Sequence, residues 1–87
     1  MQEMVRNKVI IKNTLGLHAR PAAMFVRFCM EFNEKIVIVS NGRKFSSKSI
    51  MSILAAGITY GSEIEVEVEG DNEKIVCDKV VDYLENI

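Results

Sequence analysis

The stretch Glu63-Ile64-Glu65-Val66-Glu67-Val68-Glu69 narrows the possible folds more than any other part of this chain. Side chains on a strand point alternately to its two faces, so Ile64, Val66 and Val68 share one face and four glutamates share the other. A strand of this kind needs a core on one side and water on the other. Antiparallel sheets offer that arrangement; parallel sheets, buried on both faces, do not. The four carboxylates are expected to be solvated, partly matched by Lys or Arg on adjacent strands, and not to act as a catalytic acid pair.

The remaining elements follow from periodicity. Val9, Ile10 and Ile11 between Lys8 and Lys12 predict a first strand, with Val9 and Ile11 on one face. Lys35 to Ser40 reads as a strand on its β-branched run Ile36 to Val39, and Asn41-Gly42 after it predicts a two-residue hairpin turn with a return strand over Arg43 to Ser46, Phe45 turned inward. Ala22, Phe25, Val26 and Cys29 recur at helical spacing within about 19–30. Ser49 caps a short helix that ends at Gly57, with Ile53 and Ala56 facing the core. Asp71 is expected to cap a final helix whose stripe is Val76, Val80, Tyr83, Leu84 and Ile87. The order β-α-β-β-α-β-α places the chain in the α+β class. It predicts an open-faced sandwich of a four-stranded antiparallel sheet with three helices on one face, in a single domain over 1–87.

Charge and composition exclude several functions. A formal net charge of −1 gives no reason to expect a nucleic-acid partner. No apolar run approaches the roughly 18 residues of a membrane span. Met1-Gln2-Glu3-Met4 carries no secretory apolar region, so a cytoplasmic location is expected. Cys29 and Cys77 fall in apolar helical stripes and read as buried reduced thiols. Together with one histidine they supply too few ligands for a zinc site, so no metal and no cofactor are expected.

The chemistry is concentrated in Gly16-Leu17-His18-Ala19-Arg20-Pro21-Ala22-Ala23, which holds the only histidine and the only proline. Pro21 fits a first helical turn and would break an interior one. His18 then stands at the helix start, where the amides of Ala19 and Arg20 lack intrahelical partners. Those donors, the helix dipole and the Arg20 guanidinium suit a dianion. On the residues alone, His18 is either a surface capping residue or a nucleophilic imidazole that accepts a phosphoryl group. Arg20, Ala23, Met24 and Arg27 form a second stripe on this helix, and Ile50, Met51 and Leu54 a stripe on the next. Each reads as ordinary solvated or packed surface, or as a contact for a partner.

Gly-Leu-His-Ala-Arg-Pro-Ala-Ala resembles the active-site signature of the HPr family, the histidine-containing phosphocarriers of the bacterial phosphoenolpyruvate-dependent sugar phosphotransferase system. Ser40-Asn41-Gly42 and Lys48-Ser49-Ile50-Met51 through Gly57-Ile58 and Gly61 are a second match, and the similarity runs from about Val5 to the end of the chain. The resemblance implies a carrier, not an enzyme. It would take phosphate from enzyme I on His18, at Nδ1, and pass it to sugar-specific IIA components, with Arg20 neutralising charge. It implies that Ala23, Met24, Arg27, Ile50, Met51 and Leu54 meet partners. It also implies that Ser49 is a regulatory site for an HPr kinase/phosphorylase, read by a catabolite-control repressor. Ser52 and Ala55-Ala56 depart from the usual Gram-positive pattern there. A regulatory-only module, a nitrogen-branch paralogue and a small hydrolase are the alternative readings, and a monomer is expected.

Overall fold

The computed structural model describes residues 4–87, and the Met1-Gln2-Glu3 stretch that bears on targeting lies outside them. Seven elements follow one another: β1 (Val5–Ile10), α1 (Ala19–Cys29), β2 (Lys35–Ser40), β3 (Arg43–Ser46), α2 (Ile50–Ala55), β4 (Glu63–Glu69) and α3 (Glu73–Glu85). The strands make one antiparallel sheet in the order β1-β4-β2-β3. Ile64, Val66 and Val68 of β4 join Val9, Ile36 and Ile38 of its neighbours in a single buried cluster. Phe25 and Cys29 of α1, Ile53 of α2 and Val76, Val80 and Leu84 of α3 complete that cluster. The helices therefore cover one sheet face, as the alternation in β4 requires. Among the described residues no helix is long and apolar enough to cross a membrane.

The other face is not simply wet. Glu67 is only 4% exposed, contrary to the expectation that all four glutamates are solvated. It sits on the central strand β4, opposite Arg6 of β1 and Val37 of β2. Arg6 approaches one carboxylate oxygen at 2.5 Å and Lys44 the other at 3.4 Å, so β1 on one side and β3, reaching across β2, roof it over with cations. The Arg6 contact is an ion pair without hydrogen-bond alignment. The register also sets Lys8 against Glu65 and Lys35 against Glu69. These opposite charges explain why β1 begins at Val5 and not near Val9. Val5-Arg6-Asn7-Lys8 is too polar to announce a strand by itself, yet it matches the glutamate row across the sheet.

Asn41 (φ 53) and Gly42 (φ 77) both take positive φ, as a type I′ turn demands. At the far end, the expected Asp71 cap is replaced. Asn72 is the N-cap of α3 and makes no side-chain cap bond. Its amide donates instead to Glu34 Oε2 at 3.1 Å, a carboxylate delivered by the turn before β2. The stripe of α3 is also corrected: Cys77 is buried with Val76, Val80 and Leu84, while Tyr83 is half-buried and Ile87, beyond the helix, is exposed. Tyr83 spends its ring on stacking against Phe28 at 4.4 Å between centroids.

Candidate functional site

The chain entering α1 is clamped by the loop that follows α2. Gly16 has φ +61, and a Cβ on it would lie 2.6 Å from both the Ile58 carbonyl oxygen and Thr59 Cα. Only glycine fits that crossing. Leu17 N–H donates to the Ile58 carbonyl (3.0 Å), Gly61 N–H to the Ile11 carbonyl (2.7 Å) and Ile11 N–H to the Ser62 carbonyl (2.9 Å). Leu17 is buried, 3% exposed, and anchors the segment. His18 comes next and is exposed.

His18 is the N-cap of α1, in an extended conformation, and its side chain makes no cap bond. Its carbonyl accepts the first helical bond from Ala22 N–H (2.7 Å). Ala19 and Arg20 fill the first two helical positions and Pro21 the third, where its missing N–H costs nothing. Among the described residues no acceptor meets the amides of Ala19 and Arg20. No acidic side chain lies in the first turn, and Arg20 forms no ion pair among the described residues. The helix start thus carries one exposed imidazole, two available amides, the positive end of an 11-residue helix and, two residues on, an exposed arginine. A dianion is stabilised there by about 0.3–1 kcal/mol from the dipole. Modest stabilisation suits a group that must be given up again.

The thiols do not compete for this role. Burial pushes Cys29 up to about 12, with the Ser47 hydroxyl and the Lys48 charge pulling the other way. Burial also raises Cys77, opposed by the Asn7 amide that donates to its Sγ. Cys29 lies at the opposite end of α1 from His18, roughly 16 Å along the axis. Both thiols are free and buried. Among the described residues no group of three or more His, Cys, Asp or Glu could hold a metal ion.

Ser49 is the N-cap of α2, and its Oγ accepts from Ser52 N–H at 3.2 Å. It is half-buried; Ser46 is exposed and Ser47 fully buried, so Ser47 offers no hydroxyl to another protein. Lys48 extends its ammonium to the Phe32 carbonyl beyond the end of α1. On the docking stripes, Met24, Arg27, Ile50, Met51 and Leu54 are exposed and Ala23 is half-buried. Met51, 76% exposed, is the most open of these apolar groups. α1 and α2 pack against one another, which brings the two stripes onto neighbouring helices.

Asn13 opens the loop Asn13 to Gly16 that leads into this site, and the sequence alone assigns its side chain no contact. Its side-chain amide donates to the Gly16 carbonyl at 2.8 Å, and it lines a cavity of about 290 Å³ with Arg20, Pro21, Met24, Tyr83 and Ile87. An Asn three residues before a glycine in a loop was the available signal, since Asn bonds nearby backbone in turns.

Residues 5–86 match the family model described as the PTS HPr component phosphorylation site. The chain is 37% identical to the HPr-like protein Crh of Halalkalibacterium halodurans, over 94% of this chain and 98% of that protein. It is 38% identical to the phosphocarrier protein HPr of Buchnera aphidicola, over 93% and 91%. The crystal structure of a phosphocarrier protein HPr from Bacillus anthracis superposes with a TM-score of 0.89 at 34% identity, covering 93% of this chain and 96% of the other.

Proposed function

This chain belongs to the HPr family, which includes phosphocarrier proteins, and from that premise we infer that it carries a phosphoryl group on His18 between enzyme I and IIA components. A single observation carries the reading. An exposed imidazole caps α1 while the two following amides and the Arg20 guanidinium are left without protein partners among the described residues. A neutral ring nitrogen attacks phosphorus, the P–N bond forms, and the bond to the donor's nitrogen breaks. The reverse displacement, on a second partner, returns the imidazole. Arg20 and the amides of Ala19 and Arg20 face the phosphoryl oxygens in both directions. Ala23, Met24, Arg27, Ile50, Met51 and Leu54 seat the partners. The chain ends each cycle unchanged only after both transfers, so it is a carrier, in a location without membrane insertion.

Incubation with phosphoenolpyruvate and enzyme I tests this directly. An acid-labile phosphate should appear on the chain and be absent from His18→Ala. A label that survives in that variant, or is acid-stable, would refute the assignment.

The similarity to Crh proteins, one of which is the catabolite repression HPr of Bacillus subtilis, favours a second reading through Ser49. Phosphate there would add about −1.5 to −2 charges beside Ile50, Met51 and Leu54 and so alter what docks. ATP with an HPr kinase should then yield an acid-stable mark that Ser49→Ala abolishes. A chain that takes this mark and no acid-labile one is the regulatory module alone.

A further inference from the structure

The peptide unit joining Gly16 to Leu17, directly before His18, is held at both polar ends. The Asn13 side-chain amide donates to the Gly16 carbonyl at 2.8 Å. Leu17 N–H donates to the Ile58 carbonyl at 3.0 Å. Gly16 N–H donates to Asn13's own carbonyl at 3.1 Å, so one residue takes both backbone groups of Gly16. The amide's orientation follows from its partner, because only the NH2 half can meet a carbonyl. Gly16 itself has a left-handed φ and no room for a side chain, so Asn13 supplies the one side-chain donor to this peptide among the described residues.

We propose that Asn13 is a positioning residue for phosphoryl transfer at His18, acting through the Gly16–Leu17 peptide; this rests on the carrier reading of His18. The peptide plane precedes a buried anchor, Leu17, and then an exposed imidazole whose direction no side-chain bond fixes. Backbone geometry is therefore what aims the ring and the two free amides. Gly16 and the Asn13 amide oxygen are buried, so Asn13→Ala opens a space in which water can meet the Gly16 carbonyl, and the fold survives. The plane is then held only through Leu17 N–H and can tilt about that bond, shifting His18 and Ala19 with it. Displacements of that order at a reacting group cost about 10- to 100-fold in rate. The effect falls on the transfer step, because Asn13 lies outside the exposed stripes of α1 and α2.

Asn13→Ala removes the donor, whereas Asn13→Ser differs by one hydroxyl and keeps a weaker one. Single-turnover phosphorylation by phospho-enzyme I, varied in chain concentration, separates rate from affinity. Asn13→Ala should lower the limiting rate about 10- to 100-fold with half-saturation changed less than about two-fold. Asn13→Ser should recover part of it. In two-dimensional NMR the Leu17 and His18 amide signals should move in Asn13→Ala while those of α3 stay. The proposal is overturned if Asn13→Ala stays within about two-fold of the unaltered chain, or if Asn13→Ser is no faster. Should Asn13→Ala fail to fold, Asn13→Asp, which keeps the shape without the donor, replaces it against Asn13→Ser. If the unaltered chain acquires no acid-labile phosphate, the carrier reading fails by itself, and the Leu17 and His18 signals judge the positional claim alone.

Discussion

Replacing Glu34 tests whether a carboxylate from a distant turn serves as the missing cap of α3. Glu34 is 8% exposed, and its Oε2 accepts the Asn72 amide at 3.1 Å. The N-cap side chain offers nothing in its place. Gly70 lets the side chain lie flat, since a Cβ there would stand 2.5 Å from Glu34 Cγ. A hydrogen bond to a charged acceptor contributes about 1.5–3 kcal/mol, and a carboxylate at a helix N-terminus about 0.3–1 kcal/mol. The two overlap, and the exposed Asn72 backbone regains water on truncation, so Glu34→Ala should cost about 2 kcal/mol. For a domain of this size that lowers Tm by about 8–16 °C. Glu34→Gln keeps an acceptor and loses the charge, so its cost should be near half. Urea unfolding followed by far-UV circular dichroism, with unchanged m, gives both values. Phosphoryl acceptance should be untouched, because the turn lies past the opposite end of α1 from His18. A Glu34→Ala cost below about 0.5 kcal/mol, or a Glu34→Gln variant as unstable as Glu34→Ala, would refute the reasoning.

Gly16→Ala should cost at least about 2 kcal/mol and slow phosphoryl acceptance, since it adds a left-handed penalty to a 2.6 Å approach to backbone; urea midpoints and transfer rates check both. Cys29, held protonated up to about 12, leaves the unfolded chain to ionise first from 9.0. Its contribution to stability is therefore complete below about pH 9 and lost as pH climbs toward 12, and Cys29→Ala should flatten the alkaline fall in urea midpoint. On the sheet's outer face, Glu67→Val should change stability by less than about 1 kcal/mol, because Arg6 and Lys44 stay hydrated. Arg6→Ala should cost more, about 1–3 kcal/mol, since it leaves the buried carboxylate to Lys44 alone; the reverse order of urea midpoints would contradict this.

What could be read from the chain were the features whose causes are local. Alternation in β4, the Asn41-Gly42 turn, the Ser49 cap and the Pro21 helix start each depend on neighbours within a few residues, and each stands where expected. The start of β1, the burial of Glu67 and the cap of α3 depend on residues far away in sequence. Arg6 looks like a solvent-seeking charge until Glu67 is set across from it. Glu34 reads as a loop residue until the fold brings Asn72 to it. Around His18 the same division holds. The imidazole, Arg20 and the open amides follow from the helix start, whereas the Ile58 and Asn13 contacts that aim them appear only when two loops cross.

The sheet order has a consequence for how the chain acquires its shape. The β2–β3 hairpin can close as soon as it is synthesised, but β1 pairs with β4 alone, and β4 is the last of the four strands to be made. Its apolar face must wait, uncovered, through most of translation. Closing so long a loop is slow relative to local pairing. A nascent chain stalled before Glu63 should therefore be protease-sensitive around β1 and bind hydrophobic chaperone surfaces, while release of α3 should end both at once.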